Sequence, residues 1–257
     1  MKRVRAKKHL GQHFLKDESI AEKTVALLQK GSYKTIIEVG PGMGVLTKYL
    51  ANIPSAELFV VDIDTESIEF LIEEKTLSSD HIVEGDFLQL DLNKIANGGK
   101  FAIVGNFPYN ISSQILFKAY EYRDQVEEVV GMFQKEVAER IASGPGNKTY
   151  GILSVLLQAF FDIRYEFTVD EDVFDPPPKV KSAVISLRRN STKHLECDEK
   201  LFKQIVKLGF NQRRKTLRNS LKALLKDDLG TLPIFSKRPE QLPFQDFVEI
   251  TNLIAKQ

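Results

Sequence analysis

Asn106, Phe107, Pro108 and Tyr109 follow the apolar run Phe101–Val104, and these residue types in this order can prepare a poor nucleophile. The exocyclic amine of a nucleobase has its lone pair delocalised into the ring. If the Asn106 side-chain oxygen and the Pro108 carbonyl accept its two N–H bonds, the pyramidal amine that can attack is favoured. Proline fixes its own φ, so the direction of that carbonyl is set. Tyr109 offers a face on which a purine can stack. Asn, Pro and Tyr also serve in ordinary turns. The reading therefore depends on what else reaches the same place.

Three further features do. Ile36–Thr47 reads IIEVGPGMGVLT: a buried strand closing on Gly40, Gly42 and Gly44, then a helical pattern from Val45. Glycines at such a turn can take positive φ and let a ligand lie against the backbone. A second apolar run, LFVVDID, ends in Asp62, whose carboxylate can accept ribose hydroxyls. A third ends in Gly85-Asp86. The glycines run G-x-G-x-G, not the G-x-G-x-x-G of dinucleotide sites, which disfavours an NAD-dependent dehydrogenase. No G-K-[ST] follows, so no Walker-type phosphate loop is present.

Stepping from these residues to their carriers, the pattern reads βαβαβ. Strands are predicted at Thr35–Gly40, Leu58–Ile63, His81–Glu84, Phe101–Val104 and Glu128–Phe133. Helices are predicted from Asp17 to about Lys30, from Val45 to about Asn52, over Glu66–Leu77, after a Ser112 cap, and over Lys135–Ala142 and Ile152–Phe161. Such a sheet is parallel and doubly wound, and its ligands sit at the carboxyl ends of the strands. Gly40, Asp62, Asp86 and Asn106 all fall there. Arg164–Val169 and Ser182–Arg188 alternate and should form an antiparallel hairpin at the sheet edge.

Composition narrows the rest. The 257 residues, 42% hydrophobic with net charge +1, suffice for one large α/β core and a small second domain. A single cysteine, Cys197, excludes an internal disulfide and fits a reducing compartment. His9, His13, His81, His194 and Cys197 lack metal-ligand spacing, so no metal is expected. No apolar run reaches membrane-spanning length, and the basic N-terminus lacks the apolar stretch of a secretory signal. Lys2, Arg3, Arg5, Lys7 and Lys8 crowd that terminus, either as a frayed end or as a nucleic-acid-binding arm.

The E-x-G-x-G-x-G loop, the acidic residue after the second strand, Gly-Asp after the third and N-x-P-Y after the fourth resemble class I S-adenosyl-L-methionine methyltransferases that act on exocyclic amines. With GQHFL near the start, NFPYNIS, VFDPPPKVKSAV over Val173–Val184 and FNQRRKTLRNSL over Phe210–Leu221, the chain resembles the KsgA (RsmA) family along nearly its whole length. Those enzymes dimethylate N6 of two adjacent adenosines near the 3′ end of small-subunit (16S) ribosomal RNA. The resemblance implies S-adenosyl-L-methionine as cofactor, held by His13, Leu15, Gly40, Gly42, Asp62, Asp86 and Asn106. Asp62 would take the ribose, and Asp86 the adenine amine. It implies a catalytic group of Asn106, Pro108, Tyr109 and Phe174, with Phe174 as a second stacking face opposite Tyr109. From the residues alone, the favoured reading of Phe174 is a core phenylalanine beside a stiff proline loop. His13 stands where many members have Asn, Asp62 where many have Glu, and Phe107 where Leu is usual.

The fold expected is a Rossmann-like methyltransferase sheet over residues 1–190, then a helical RNA-binding domain over 191–257. Asp198 should cap the first C-terminal helix, and Phe244–Ile254 should form the last. RRKTLRNSLKALLK reads as one amphipathic helix with Leu217, Leu221 and Leu224 on its apolar face. Arg214, Arg218 and Lys222 fall on another face, flanked by Arg213 and Lys215, and these five are the candidate RNA-binding residues. The partner implied is small-subunit ribosomal RNA in a pre-30S particle, bound by a cytoplasmic monomer without membrane. Two alternatives stay open: a large-subunit rRNA adenine methyltransferase of the antibiotic-resistance type, and a non-enzymatic ribosome assembly factor.

Overall fold

The computed structural model describes residues 4–29, 31–226 and 228–257. Lys2 and Arg3 of the basic terminus lie outside these residues. In chain order the elements are β1 (Phe14–Leu15), α1 (Glu18–Val25), β2 (Thr35–Val39), α2 (Thr47–Leu50), β3 (Glu57–Asp62), α3 (Thr65–Glu73), β4 (Ile82–Glu84), α4 (Leu92–Ile95), β5 (Phe101–Asn106), α5 (Ser112–Glu121), β6 (Val126–Gln134), α6 (Lys135–Ala142), α7 (Ile152–Gln158), β7 (Phe161–Val169), β8 (Phe174–Asp175), β9 (Ser182–Arg189), α8 (Glu199–Asn211), α9 (Leu217–Ser220) and α10 (Phe244–Ala255).

The chain divides into two compact units. The first comprises residues 1–138 and 163–189, the second residues 139–162 and 190–257. Residues 139–162, which precede the boundary expected from sequence at 190, thus pack with the C-terminal helices.

In the first unit seven strands order as β4-β3-β2-β5-β6-β9-β7. β2 is parallel to both β3 and β5, so crossovers leave it in opposite directions. That is the switch point at which an open α/β sheet binds ligands. β9 runs antiparallel to β6 with Gly131 opposite Ile185. β7 lies beside β9 at the sheet edge, so the two strands expected to form the hairpin are neighbours, with the second on the inner side. β2 is buried at every residue, as is β5 up to Asn106, because helices cover both faces. Each fully buried Ile or Val contributes roughly 1.5–3 kcal/mol relative to exposure, and that packing holds the strand ends in register.

Aspartates set several helix starts. The Asp17 carboxylate accepts from the backbone N–H groups of Ser19 and Ile20, Asp64 from Glu66, Asp91 from Asn93, and Asp198 from Lys200 and Leu201. Ser112 departs from expectation. It is the first residue of α5 and caps nothing; its Oγ donates to the Tyr109 carbonyl at 3.2 Å.

In the second unit α8 buries Phe202, Ile205, Val206 and Gly209, and it packs on α7, α9 and α10. The single amphipathic helix expected after Phe210 does not form. Residues 212–215 make a turn closed by Lys215 N–H to the Gln212 carbonyl at 2.7 Å. Thr216 is extended, α9 is four residues long, and Lys222–Leu224 form a separate 3-10 turn. Leu217 and Leu221 are fully buried, whereas Leu224 is only half-buried. Seating the two leucines outweighs keeping helical period.

Candidate active site

The carboxyl ends of β2, β3, β4 and β5 surround one cavity of about 170 Å³. Gly40, Gly42, Asp62, Asp86, Asn106, Pro108, Tyr109 and His13 all line it. Two residues named from sequence do not. Leu15 is buried in β1, paired with Phe174 of β8. Phe174 itself is 1% exposed and packs in the core with Val25, Val169 and Val184. The role of a second stacking face is therefore corrected: Phe174 offers no ring surface to the cavity, because the β1–β8 pairing turns it inward.

Gly40 and Gly42 adopt φ of 68° and 55°, a region costly for other residues. A Cβ on Gly42 would lie 2.8 Å from the Phe14 ring. Glycine here admits the N-terminal segment against the loop. Asp62 is 7% exposed, and burial chiefly raises its carboxyl to about pH 6, with the charge of Asp64 adding to it. Backbone N–H groups of Asp64, Gly42 and Ile63 oppose that rise, the first at 2.9 Å. The Asp86 carboxylate accepts from Leu88 N–H at 2.9 Å, which points its loop.

The Asn106–Tyr109 turn is held from three sides. Asn106 Nδ2 donates to the His13 carbonyl at 2.8 Å. With the amide nitrogen committed, Oδ1 is the end that can accept. The Pro108 carbonyl accepts Ile111 N–H at 3.1 Å, so one lone pair closes the turn and the other is left for a ligand. The Tyr109 hydroxyl meets Ser182 Oγ at 2.5 Å, and its ring lies 5.3 Å from that of His13. His13 Nδ1 contacts the Pro176 carbonyl at 2.7 Å; a carbonyl only accepts, so this nitrogen carries the proton.

Beneath the turn, the Phe107 ring is 1% exposed and packs edge-on against Phe133 at 5.1 Å. It fills the space of the side chains missing at Gly105 and Gly131, where a Cβ would fall 2.8 Å and 2.0 Å from its ring atoms. Phe107 is accommodated by glycines on two adjacent strands.

Sequence reasoning assigned no role to two contributors. Glu38 is 1% exposed at the end of β2, and burial, aided by the charge of Asp62, lifts its carboxyl to about pH 8. Asp64 is 1% exposed and accepts Lys7 Nζ at 2.5 Å and Gln12 Nε2 at 2.8 Å. Burial works to raise its carboxyl, but these bonds outweigh burial and hold it below the ordinary range. Asp64 thus ties the N-terminal segment, which lines the cavity over Leu10–Phe14, to the strand end that carries Asp62. The D-x-D spacing of Asp62 and Asp64 was the available signal.

The five basic residues lie on the second unit. Arg214, Lys215, Arg218 and Lys222 are exposed, and Arg213 is half-exposed. Arg218 Nε donates to the Gly230 carbonyl at 2.6 Å, and Arg213 to that of Lys148. They are carried by a turn, a short helix and a 3-10 turn rather than by one ridge. Among the described residues no cluster of three metal-ligating side chains occurs, and no helix is long and apolar enough to cross a membrane.

A doubly wound sheet with glycine loop, acidic strand ends and an N-x-P-Y turn at one cavity defines a class I methyltransferase. Residues 3–256 match the family described as ribosomal RNA adenine dimethylase, and the chain belongs to it. It is 59% identical over 257 residues to the ribosomal RNA small subunit methyltransferase A of Cytophaga hutchinsonii, covering 99% of each chain. It is 55% identical to the protein of the same name from Parabacteroides distasonis, covering 100% of this chain and 96% of that one. Among solved structures it resembles a dimethyladenosine transferase from Plasmodium falciparum, with TM-score 0.79, 25% identity, and 95% and 98% of the two chains covered. It also resembles the 23S rRNA methyltransferase ErmE, with TM-score 0.68, 26% identity, and 93% and 99% covered. The chain is accordingly an rRNA adenine methyltransferase that uses S-adenosyl-L-methionine.

Proposed function

We propose that the protein dimethylates N6 of two adjacent adenosines near the 3′ end of small-subunit ribosomal RNA, acting in the cytoplasm as a monomer on a pre-30S particle. The observation that carries the reading is the single cavity at which Asn106, Pro108 and Tyr109 meet Asp62 and Asp86. The names of full-length relatives above 50% identity support the small subunit as substrate.

The donor set fits the cofactor. The Asp62 carboxylate suits vicinal ribose hydroxyls, the Asp86 carboxylate suits an adenine amine, and the positive-φ glycines bring backbone close to the ligand. The cofactor supplies a methyl group already activated on a sulfonium. The chain's task is then alignment and exclusion of water. Asn106 Oδ1 and the free lone pair of the Pro108 carbonyl accept the two N–H bonds of the target amine and localise its lone pair. Tyr109, steadied by Ser182, stacks on a base turned out of the RNA. No general base is required, because the amine becomes cationic before it sheds its proton.

A second cavity, of about 440 Å³, shares Tyr109 and His13 with the first and is bordered by Lys8, Pro176–Pro178 and Lys179. It supplies cationic and rigid walls for the flanking nucleotides. Arg213, Arg214, Lys215, Arg218 and Lys222 supply a further phosphate-binding surface.

The test is transfer of labelled methyl from S-adenosyl-L-methionine to under-methylated small ribosomal subunits, with large subunits as control. Label recovered as N6,N6-dimethyladenosine in small-subunit RNA is expected. Label only in large subunits would assign the resistance-type activity, and cofactor binding without transfer to either would leave an assembly factor.

A further inference from the structure

α5 carries a lysine on its buried face. Lys118 is 7% exposed, between Ile115, Leu116 and Ala119, which are fully buried. A lone ammonium in such a place is costly unless its hydrogen bonds are met. Here they are met by one segment. Lys118 Nζ donates to the Phe87 carbonyl at 2.6 Å and also to the Leu90 carbonyl. The rings of Phe87 and Tyr122 flank it at 5.2 and 5.8 Å.

Both carbonyls belong to the loop that starts at Asp86. That loop is otherwise held by its own bonds: Leu88 N–H to the Asp86 carboxylate at 2.9 Å, and Gln89 and Leu90 N–H to the Asp86 carbonyl at 2.9 and 3.2 Å. These curl the loop, whose start is tied to the sheet by Gly85 N–H donating to the Asp62 carbonyl at 2.8 Å, while Phe87 beside Asp86 is buried at 3% exposure. Beside it lies a cavity of about 410 Å³ lined by Leu88, Gln89 and Leu90 and by Gln114 and Phe117 of α5. Side-chain packing on that flank is therefore incomplete, and the ammonium bridges the gap.

We propose that Lys118 is a positioning residue for cofactor recognition: by gripping the Phe87 and Leu90 carbonyls it holds the Asp86 carboxylate where it accepts the adenine 6-amino group. The inference rests on the reading of Asp86 as the adenine acceptor. A carboxylate so held accepts from an amine and repels a carbonyl oxygen. Lys118 therefore acts on the discrimination between a 6-amino and a 6-oxo purine, which a merely structural lysine would leave alone.

The probes are S-adenosylhomocysteine and S-inosylhomocysteine, titrated calorimetrically against the full chain. The unmodified protein is expected to prefer the adenosyl compound. Lys118→Met is expected to weaken the adenosyl compound about tenfold, to leave the inosyl compound nearly unchanged, and so to cut the preference about tenfold. Lys118→Arg, which keeps a cation and donors, is expected to retain most of the preference. Equal affinities in the unmodified protein would defeat the reading of Asp86 itself. A preference that survives Lys118→Met, or equal weakening of both compounds, would overturn the role of Lys118. If Lys118→Met does not fold, Lys118→Gln and Lys118→Arg read the same ratio, and failure of the preference to rank unmodified, Arg, then Gln overturns it equally.

Discussion

Adding one methyl group at Gly131, on β6 opposite Gly105 and outside the cavity lining, should disable methyl transfer. A Cβ there falls 2.0 Å from Cε2 and 2.6 Å from Cδ2 of Phe107, far inside contact distance. The ring cannot step aside, because Phe133 lies against it at 5.1 Å and Gly105 marks its other edge. Overpacking of this kind costs about 1–3 kcal/mol. At about 2–4 °C per kcal/mol for a chain of this size, Tm should fall by roughly 5 °C. The larger effect is local. Phe107 joins Asn106 to Pro108, so a ring displaced by about 1 Å carries the Asn106 amide and the Pro108 carbonyl, the proposed amine acceptors, with it, and such an error costs on the order of 100-fold in rate. The assay is single-turnover methyl transfer to under-methylated small subunits, with cofactor affinity measured alongside. Gly131→Ala should lose rate with cofactor affinity within about twofold, because Asp62 and Asp86 sit on other strands. Phe107→Leu added to Gly131→Ala should restore much of the rate, since the shorter side chain vacates the clash. Unimpaired transfer by Gly131→Ala would refute the argument that Phe107 positions the turn. A double variant as slow as the single one would show that the loss has another origin.

Asn106→Ala should reduce transfer by more than 100-fold while leaving RNA affinity nearly intact; equal loss of both, in filter binding beside turnover, would make Asn106 structural. Arg214→Ala with Arg218→Ala should weaken RNA binding and lower the slope of log affinity against log salt by roughly 1.4–1.8; an unchanged slope would remove both from the interface. Glu38 predicts a pH dependence of stability. Its carboxyl stands at about 8 in the folded chain against 4.5 ordinarily, so the folded state keeps a proton that the unfolded state releases. Its stabilising contribution is complete below the ordinary value and is lost as pH rises toward 8. Asp62, at about 6, has the same sign but finishes lower. Melting between pH 6 and 8 thus isolates Glu38, with a fall of about 2 kcal/mol expected. Glu38→Gln should flatten that window, and an unchanged slope would place the titration elsewhere.

The parallel sheet and its ligand edge were legible because short-range signals agreed. β-branched runs closed on Gly40, Asp62, Asp86 and Asn106, and each run proved to be a strand whose end lines the cavity. The basic C-terminal segment misled for a physical reason. Leu217, Leu221 and Leu224 have helical period, yet only two of them find a core to fill. The chain turns at Gln212–Lys215 to seat those two, and the arginine ridge breaks with it. Phe174 was ambiguous in the same way, since a stacking ring and a core ring have the same composition. Only the pairing of β8 with β1 decides which it is.

What the sequence concealed is mostly polar and buried. Asp64, Lys118 and Ser182 sit at positions that pattern assigns to the core or to a cap, and each meets a partner far along the chain: Lys7, the Phe87 and Leu90 carbonyls, and Tyr109. A buried polar group is tolerated only where its bonds are made, so each must arise with its partner. None of the three lines the main cavity. Each holds something that does: the N-terminal segment through Lys7 and Gln12, the Asp86 loop, and the Tyr109 ring. In this fold the residues that line the cavity therefore show themselves by spacing along the chain. The residues that hold them in place show themselves only as polar groups that would be too costly to bury for any other reason.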